Sequence, residues 1–245
     1  DTPATFLRFN RALKARLELY RRNWQDVLTA LGESFISTAS GAPAALNVGV
    51  YHTYSTASGD ATNPLHDPAP RALLGHPSFL TEFQTQPDGS PDRRASSKAV
   101  VGTVTVSNQS VSSNIRITAY ASNVAPVPII RNEELILIRA EANLALGNRT
   151  AAIADVNFIR TNSGGLAPLP ADFAGDLVDE ILYNRRYSLF YEYGHRWVDL
   201  RRHDRLDELP EALPSHRIFP LVPIPTDECN QRNPAPRGCV QVTGF

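Results

Sequence analysis

Methionine is missing from all 245 residues, including position 1, and lysine occurs only at Lys14 and Lys98. The first absence predicts a processed or partial chain, and the second leaves arginine as nearly the whole cationic supply. Formal net charge is -1, so no global field draws the protein to nucleic acid or to an anionic membrane. No apolar run approaches the roughly 18 residues a spanning helix needs, which predicts a soluble chain. There is no P-loop, no dinucleotide-binding glycine fingerprint and no HExxH. The histidines (His52, His66, His76, His195, His203 and His216) show no paired metal spacing, and no serine or cysteine nucleophile sits in a recognisable motif. These absences predict no enzyme, no cofactor and no metal site.

Cysteine is scarce too. Cys229 and Cys239 enclose a loop of Pro, Gly and polar residues that can bury little apolar surface. Closing it covalently would stabilise it by roughly 2 to 3 kcal/mol, and a zinc site would need two further ligands that the spacing does not supply. The pair predicts a disulfide and an oxidising compartment.

What is present is globular: 42% of residues are hydrophobic and 20% charged, which excludes a disordered chain. Residues 5–36 read as a helical hairpin broken near Arg21 to Asn23. Phe6, Phe9, Leu13, Leu17 and Tyr20 form one stripe, and Trp24, Val27, Leu28, Leu31 and Phe35 form the other. Residues 131–160 repeat the pattern, with Leu135, Ile138, Ala142 and Ala145, a break at Gly147, then Ala151, Ala152, Val156 and Ile159. The small residues Ala140 and Ala152 sit where a tetratricopeptide-like unit needs close helix approach. A third pair spans 176–204, with Leu177, Ile181, Tyr187 (or Arg185), Leu189 and Phe190 before a break at Gly194. The predicted fold is mainly α: tetratricopeptide-like hairpins, an irregular insertion over 37–130 and an extended Pro-rich C-terminal segment. Within the insertion a single strand is predicted around Val100 to Val106, and so long an irregular segment is the place to seek a binding surface.

The stretch YEYGHRWVDLRRHD, residues 191–204, is the densest in reactive side chains. Six arginines face three acids between 185 and 205, which suits nucleic acid if the basic excess is exposed. The interspersed acids and the packing stripe Tyr193, Trp197 and Leu200 favour a structural network, with Glu192 able to pair with Arg196. Trp197 is predicted to be buried against Leu189 or Phe190.

Several segments together resemble the SusD/RagB family. They are LKARLELYRRNWQDVL, PDRR at 91–94, LIRAEANLALGNRTAAIADVNFIR, YNRRYSLFYEYGHRWVDLRRHDRL and IFPLVPIPTDECNQRN, in the family's order. Arg139, Glu141, Arg185, Gly194, Arg196, Trp197, Asp199 and Arg201 carry the motif positions, whose role the resemblance implies is architectural. The family's Glu-Arg and Glu-Gly pairs are Asn184–Arg185 and Tyr193–Gly194 here. Family members carry a lipoprotein signal and further helical repeats ahead of LKAR. The expectation is therefore one SusD-like domain over 1–245 in truncated form, its lipid anchor absent from this chain.

The resemblance implies a surface-facing outer-membrane lipoprotein that binds nutrient, usually oligosaccharide, for a SusC-like TonB-dependent transporter, without catalysis. Sugar recognition needs flat aromatic faces beside polar groups. Tyr51, His52, Tyr54, Phe79 and Phe83 in the insertion offer them, although the same rings could pin the loop to the helices. The rival reading is a helical-repeat interaction module with no small ligand.

Overall fold

A computed structural model describes residues 2–67, 73–108, 110–222, 224–232 and 239. Helix α1 (Pro3–Arg21) starts at a reciprocal cap in which Thr2 Oγ1 accepts from Thr5 N at 3.2 Å and Thr5 Oγ1 accepts from Thr2 N at 2.8 Å. It ends at Arg22, in the left-handed region with φ 61°, and α2 (Trp24–Gly32) folds back on it. A short helix α3 (Pro43–Leu46) leads into strand β1 (Gly49–His52). Strand β2 (Leu74–Gly75), a 3-10 turn at Pro77–Leu80, helix α4 (Arg93–Lys98) and the hairpin of β3 (Ala99–Asn108) and β4 (Val111–Ile117) follow. Strand β5 (Val127–Arg131) runs directly into α5 (Asn132–Ala145), which pairs with α6 (Arg149–Ile159). The third hairpin is α7 (Leu177–Ser188) and α8 (His195–Arg202), and α9 (Thr226–Gln231) lies near the C-terminus. The fold is mainly α, in the predicted tetratricopeptide-like hairpins.

The breaks near Arg21 to Asn23, at Gly147 and at Gly194 separate helices, although α2 ends at Gly32 and α7 at Ser188, short of Phe35 and of Leu189 and Phe190. The buried face of α1 is not the expected one. Ala12, Ala15 and Leu19 pack against Val27, Ala30 and Leu31 of α2 and Leu135, Ile138 and Ala142 of α5. The expected stripe is rotated outward, with Phe6 67% and Leu17 54% exposed, and Phe9 and Leu13 at the margin. A face of alanines lets three helices approach more closely than a face of rings would.

Helix α5 is the axis of the molecule. Every residue from Asn132 to Asn143 except Arg139 is buried, because α1 and α2 cover one side and α6 and α7 the other. Its acids must therefore be paired in place. Glu134 receives both Arg16 Nε and Nη2 at 2.6 Å, and Glu141 receives Arg202 and His203 Nε2, the latter at 3.1 Å. Glu133 accepts from Arg131, Ser163 and Ser188. Arg139, on the rim, pairs with Asp155 at 2.7 Å.

The segment 37–130 is less irregular than predicted. Strand β1 pairs antiparallel with β5, placing Gly49 opposite Arg131, and a second sheet has the order β2-β4-β3. A Cβ at Gly49 would lie 2.4 Å from the Ile130 carbonyl oxygen, so only glycine permits this approach. The predicted lone strand is one arm of a hairpin whose partner, VSSNIRI, hides its pattern: Ser113 and Ile115 are its buried residues. Asp92 and Arg94, from PDRR, form a buried ion pair at 2.6 Å that ties α4 to α7. Arg94 Nη1 donates to Asn184 at 2.9 Å and Ser188 at 3.0 Å. The amide at 184 thus still serves as an acceptor where the family carries a carboxylate.

Cys229 and Cys239 form a disulfide, with Cα atoms 5.7 Å apart. The intervening residues 233–238 lie outside the described set, and α9 interrupts a segment expected to be extended.

Helix α8 buries His195, Asp199 and Leu200 rather than Trp197. Trp197 lies about 200° round the helix from His195, so turning Asp199 toward buried Arg185 turns the indole away. It is half-buried, donates from Nε1 to Phe219 O at 3.0 Å and carries the Arg201 guanidinium 5.3 Å from its ring centroid. The predicted contact with Phe190 is replaced: that ring stacks on Phe79 at 3.7 Å. Trp197→Ala should therefore cost well under the about 3–5 kcal/mol of a core ring. Iodide should quench this indole partially; complete shielding together with a collapse in melting temperature would contradict the placement. The expected Glu192–Arg196 pair is absent as well. Glu192 precedes the helix start at Gly194, and Arg196 instead meets Glu208 at 3.4 Å.

Candidate functional site

A cavity of about 860 Å³ opens where the insertion meets the third hairpin. Its size and largely apolar walls suit a small organic ligand. The C-terminal end of α7 brings Arg185, Arg186 and Leu189, and the first turn of α8 brings His195 and Arg196. From the insertion come His52, the last residue of β1, Tyr54 just after it, and Phe79 of the 3-10 turn.

The link between α7 and α8 shapes the opening. Tyr191, Tyr193 and Gly194 all take positive φ, at 64°, 42° and 67°. Glycine adopts this conformation freely, but for a tyrosine it costs on the order of 1–3 kcal/mol and persists only where the surroundings impose it. Here Tyr120 Oη donates to Tyr191 O at 3.2 Å, and Glu192 anchors the link from behind. Glu192 accepts from Arg131 Nη2 at 3.1 Å and stands 3.8 Å from Lys98 Nζ. Burial pushes Lys98 down to about 8, against the pull of Glu192. The result presents Tyr193, half-exposed, beside His52, with ring centroids 6.2 Å apart.

Of the five rings singled out in the sequence, the structure brings three to this cavity. His52 and Tyr54 stand at its lining, and Phe79 forms a buried wall stacked between Tyr187 and Phe190. Tyr51 is tied back through its hydroxyl to Asn47 O, and Phe83 packs on the cluster of Phe79, Ala95 and Tyr187. Sequence reasoning did not single out Phe190, Tyr191 and Tyr193 as ligand-facing. The available signal was three aromatics crowded against Gly194, too many for a helix that buries only one face.

The SusD family profile matches residues 81–235. The chain belongs to the SusD family. The SusD-family match takes in the α7–α8 side of the cavity, while His52, Tyr54 and Phe79 lie ahead of it. Solved structures share the fold. A SusD-like protein from Bacteroides fragilis NCTC 9343 is 16% identical with a TM-score of 0.60, covering 79% of this chain and 54% of that one. A SusD superfamily protein from Bacteroides vulgatus ATCC 8482 is 18% identical with a TM-score of 0.54, covering 81% and 52%. A SusD-like carbohydrate binding protein from the same organism is 18% identical with a TM-score of 0.52, covering 79% and 44%. This SusD-family chain therefore spans about half the length of the structures it matches. Among curated proteins, none matches. No helix among the described residues is long and apolar enough to cross a membrane.

Proposed function

We propose that this protein binds nutrient, an oligosaccharide, in the cavity between the insertion and the α7–α8 hairpin. It does so at the outer cell surface for delivery to a SusC-like TonB-dependent transporter, and it performs no chemistry on the ligand. The observation that carries the reading is the pairing of aromatic surface with polar groups around one opening. Tyr54, Tyr193 and Phe190 offer faces for the C–H surface of a sugar ring, and His52 and Arg186 offer hydrogen bonds to hydroxyls. The family and the carbohydrate-binding relative of like fold support it.

A glycan array probed with the intact protein tests it. Tyr193→Ala and Tyr54→Ala, both at the opening, should each weaken the bound oligosaccharide about tenfold while leaving the melting temperature in place. Failure to bind any glycan, or binding untouched by both variants, would sink the assignment. A protein that bound no glycan but copurified with a transporter would leave the interaction-module reading.

A further inference from the structure

We infer that the floor of this cavity is an anion subsite that receives the carboxylate of an acidic sugar. The inference rests on the cavity being a glycan site and adds the class of glycan. Three observations converge on one spot, where Arg185, Gly194, His195 and Arg196 line the cavity.

The first is Arg185. It is completely buried, and its Nε donates to Asp199 Oδ2 at 2.7 Å. Its Nη1 and Nη2 meet no hydrogen-bond acceptor among the described residues. The acids around it are already engaged. Asp199 is shared with Arg202 at 3.1 Å, Glu134 holds Arg16 through both oxygens, and Glu141 holds Arg202 and His203. A buried guanidinium edge without acceptors is costly. Two coplanar oxygens would satisfy both nitrogens in the forked geometry that distinguishes arginine from lysine.

The second is His195, 4% exposed, with neither ring nitrogen hydrogen-bonded among the described residues. Glu134 is its nearest acid, at 3.8 Å, beyond hydrogen-bonding reach. The third is the start of α8. Gly194 occupies the N-cap and has no side chain to cap the first-turn N–H groups. The His195 N–H donates to Glu192 O at 3.3 Å, and the helix end carries partial positive charge at the next N–H groups.

Charge accounting points the same way. Arg16, Arg185 and Arg202 face Glu134, Glu141 and Asp199 in equal number, so the cluster itself is balanced. Glu192 and Glu208 also line the cavity, but Arg131 holds the first and Arg205 the second. The incoming negative charge rests on the helix N-terminus and on Arg196, which shares Glu208 through a long hydrogen bond of 3.4 Å. A neutral sugar would leave the guanidinium fork only partly used.

The test titrates the intact protein with D-glucuronate and with D-glucose, following saturation-transfer NMR and the ¹⁵N resonances of the arginine side chains. Glucuronate should bind at least about tenfold more tightly and shift the Arg185 Nη signals. Arg185→Lys keeps a cation beside Asp199 but removes the fork. It should abolish the preference for the acid while retaining any neutral oligosaccharide found on the array. Should that variant not fold, His195→Leu, of similar volume and without donors, should reduce glucuronate binding alone. Equal binding of the two sugars, or glucuronate binding that leaves the Arg185 signals unmoved, would overturn the subsite and spare the glycan reading. Absence of all glycan binding would overturn both.

Discussion

Exchanging Asp199 for alanine is expected to destabilise the protein by about 3–5 kcal/mol, the usual consequence of stranding one member of a buried ion pair. Asp199 is 2% exposed and holds Arg185 at 2.7 Å and Arg202 at 3.1 Å. The carboxylate is the one hydrogen-bond acceptor that Arg185 reaches among the described residues, so its removal leaves a fully buried cation with no partner. Arg202 keeps Glu141 and loses less. Ordinary domains are stable by roughly 5–15 kcal/mol, so the loss would consume a large share of that margin. The urea midpoint should fall steeply for Asp199→Ala and much less for Arg201→Ala, which removes only a cation over the half-buried Trp197 ring. Equal, small shifts in the two variants would show that the pair at 185 and 199 contributes little.

Acid should undo the fold in a defined window. Burial by itself would raise Glu133 and Glu141, but their cationic partners outweigh it and hold both at about 2. Arg131 and Lys98 act on Glu133, and Arg202 and His203 on Glu141. Glu134 shifts downward as well, held by Arg16 against its own burial. A carboxyl whose folded value lies below its unfolded value contributes stability that is complete above the unfolded value and lost as pH falls toward the folded one. With an unfolded value of 4.5, the contribution is full at pH 5 and above and fades between about 4.5 and 2. Each of the two is worth on the order of 3 kcal/mol. Asp155 works the other way, since burial raises it, and offsets a part. Melting temperature should therefore decline gently from pH 7 to 5, because burial lowers His195 and the unfolded chain protonates it first, and drop sharply below 4.5. Glu133→Gln should start lower and show a shallower acid limb. A level profile down to pH 2.5 would mean that these pairs are not formed in the folded protein.

The helical half of this architecture is legible in the sequence because its signals are local. Gly147 and Gly194 mark two hairpin breaks, and both take positive φ in the structure. The apolar periodicity of α5 and α6 identifies helices that also prove central. The sheets and the cavity are a different matter. Strand β2 is two residues long and has no pattern of its own, and β4 sets a polar Ser113 beside Ile115 on its buried face. The buried face of α1 differs from the expected stripe because hydrophobicity favours Phe and Leu, whereas close helix packing favours Ala12 and Ala15. The cavity draws on residues as distant as His52, Phe79, Arg185 and Pro210, so no window of sequence contains it. Arginine and histidine at 185 and 195 are plain to read. That their nitrogens lack partners depends on every neighbour in three dimensions.

The pairing of Gly49 with Arg131 joins positions about eighty residues apart, and the ends of the intervening segment therefore meet on the helical frame. Lengthening a loop whose ends are already clamped is cheap, about 0.6 kcal/mol for each doubling. Descendants of this chain could thus lose, gain or replace whole hairpins between β1 and β5 while α1, α2 and α5 stay in register. Tyr54 and Phe79 belong to that exchangeable segment, His52 to the clamping strand, and Arg185 and His195 to the frame of helices. Selection can then retune one wall of the cavity by insertion and deletion, at a rate set by loop tolerance rather than by the stability of the core.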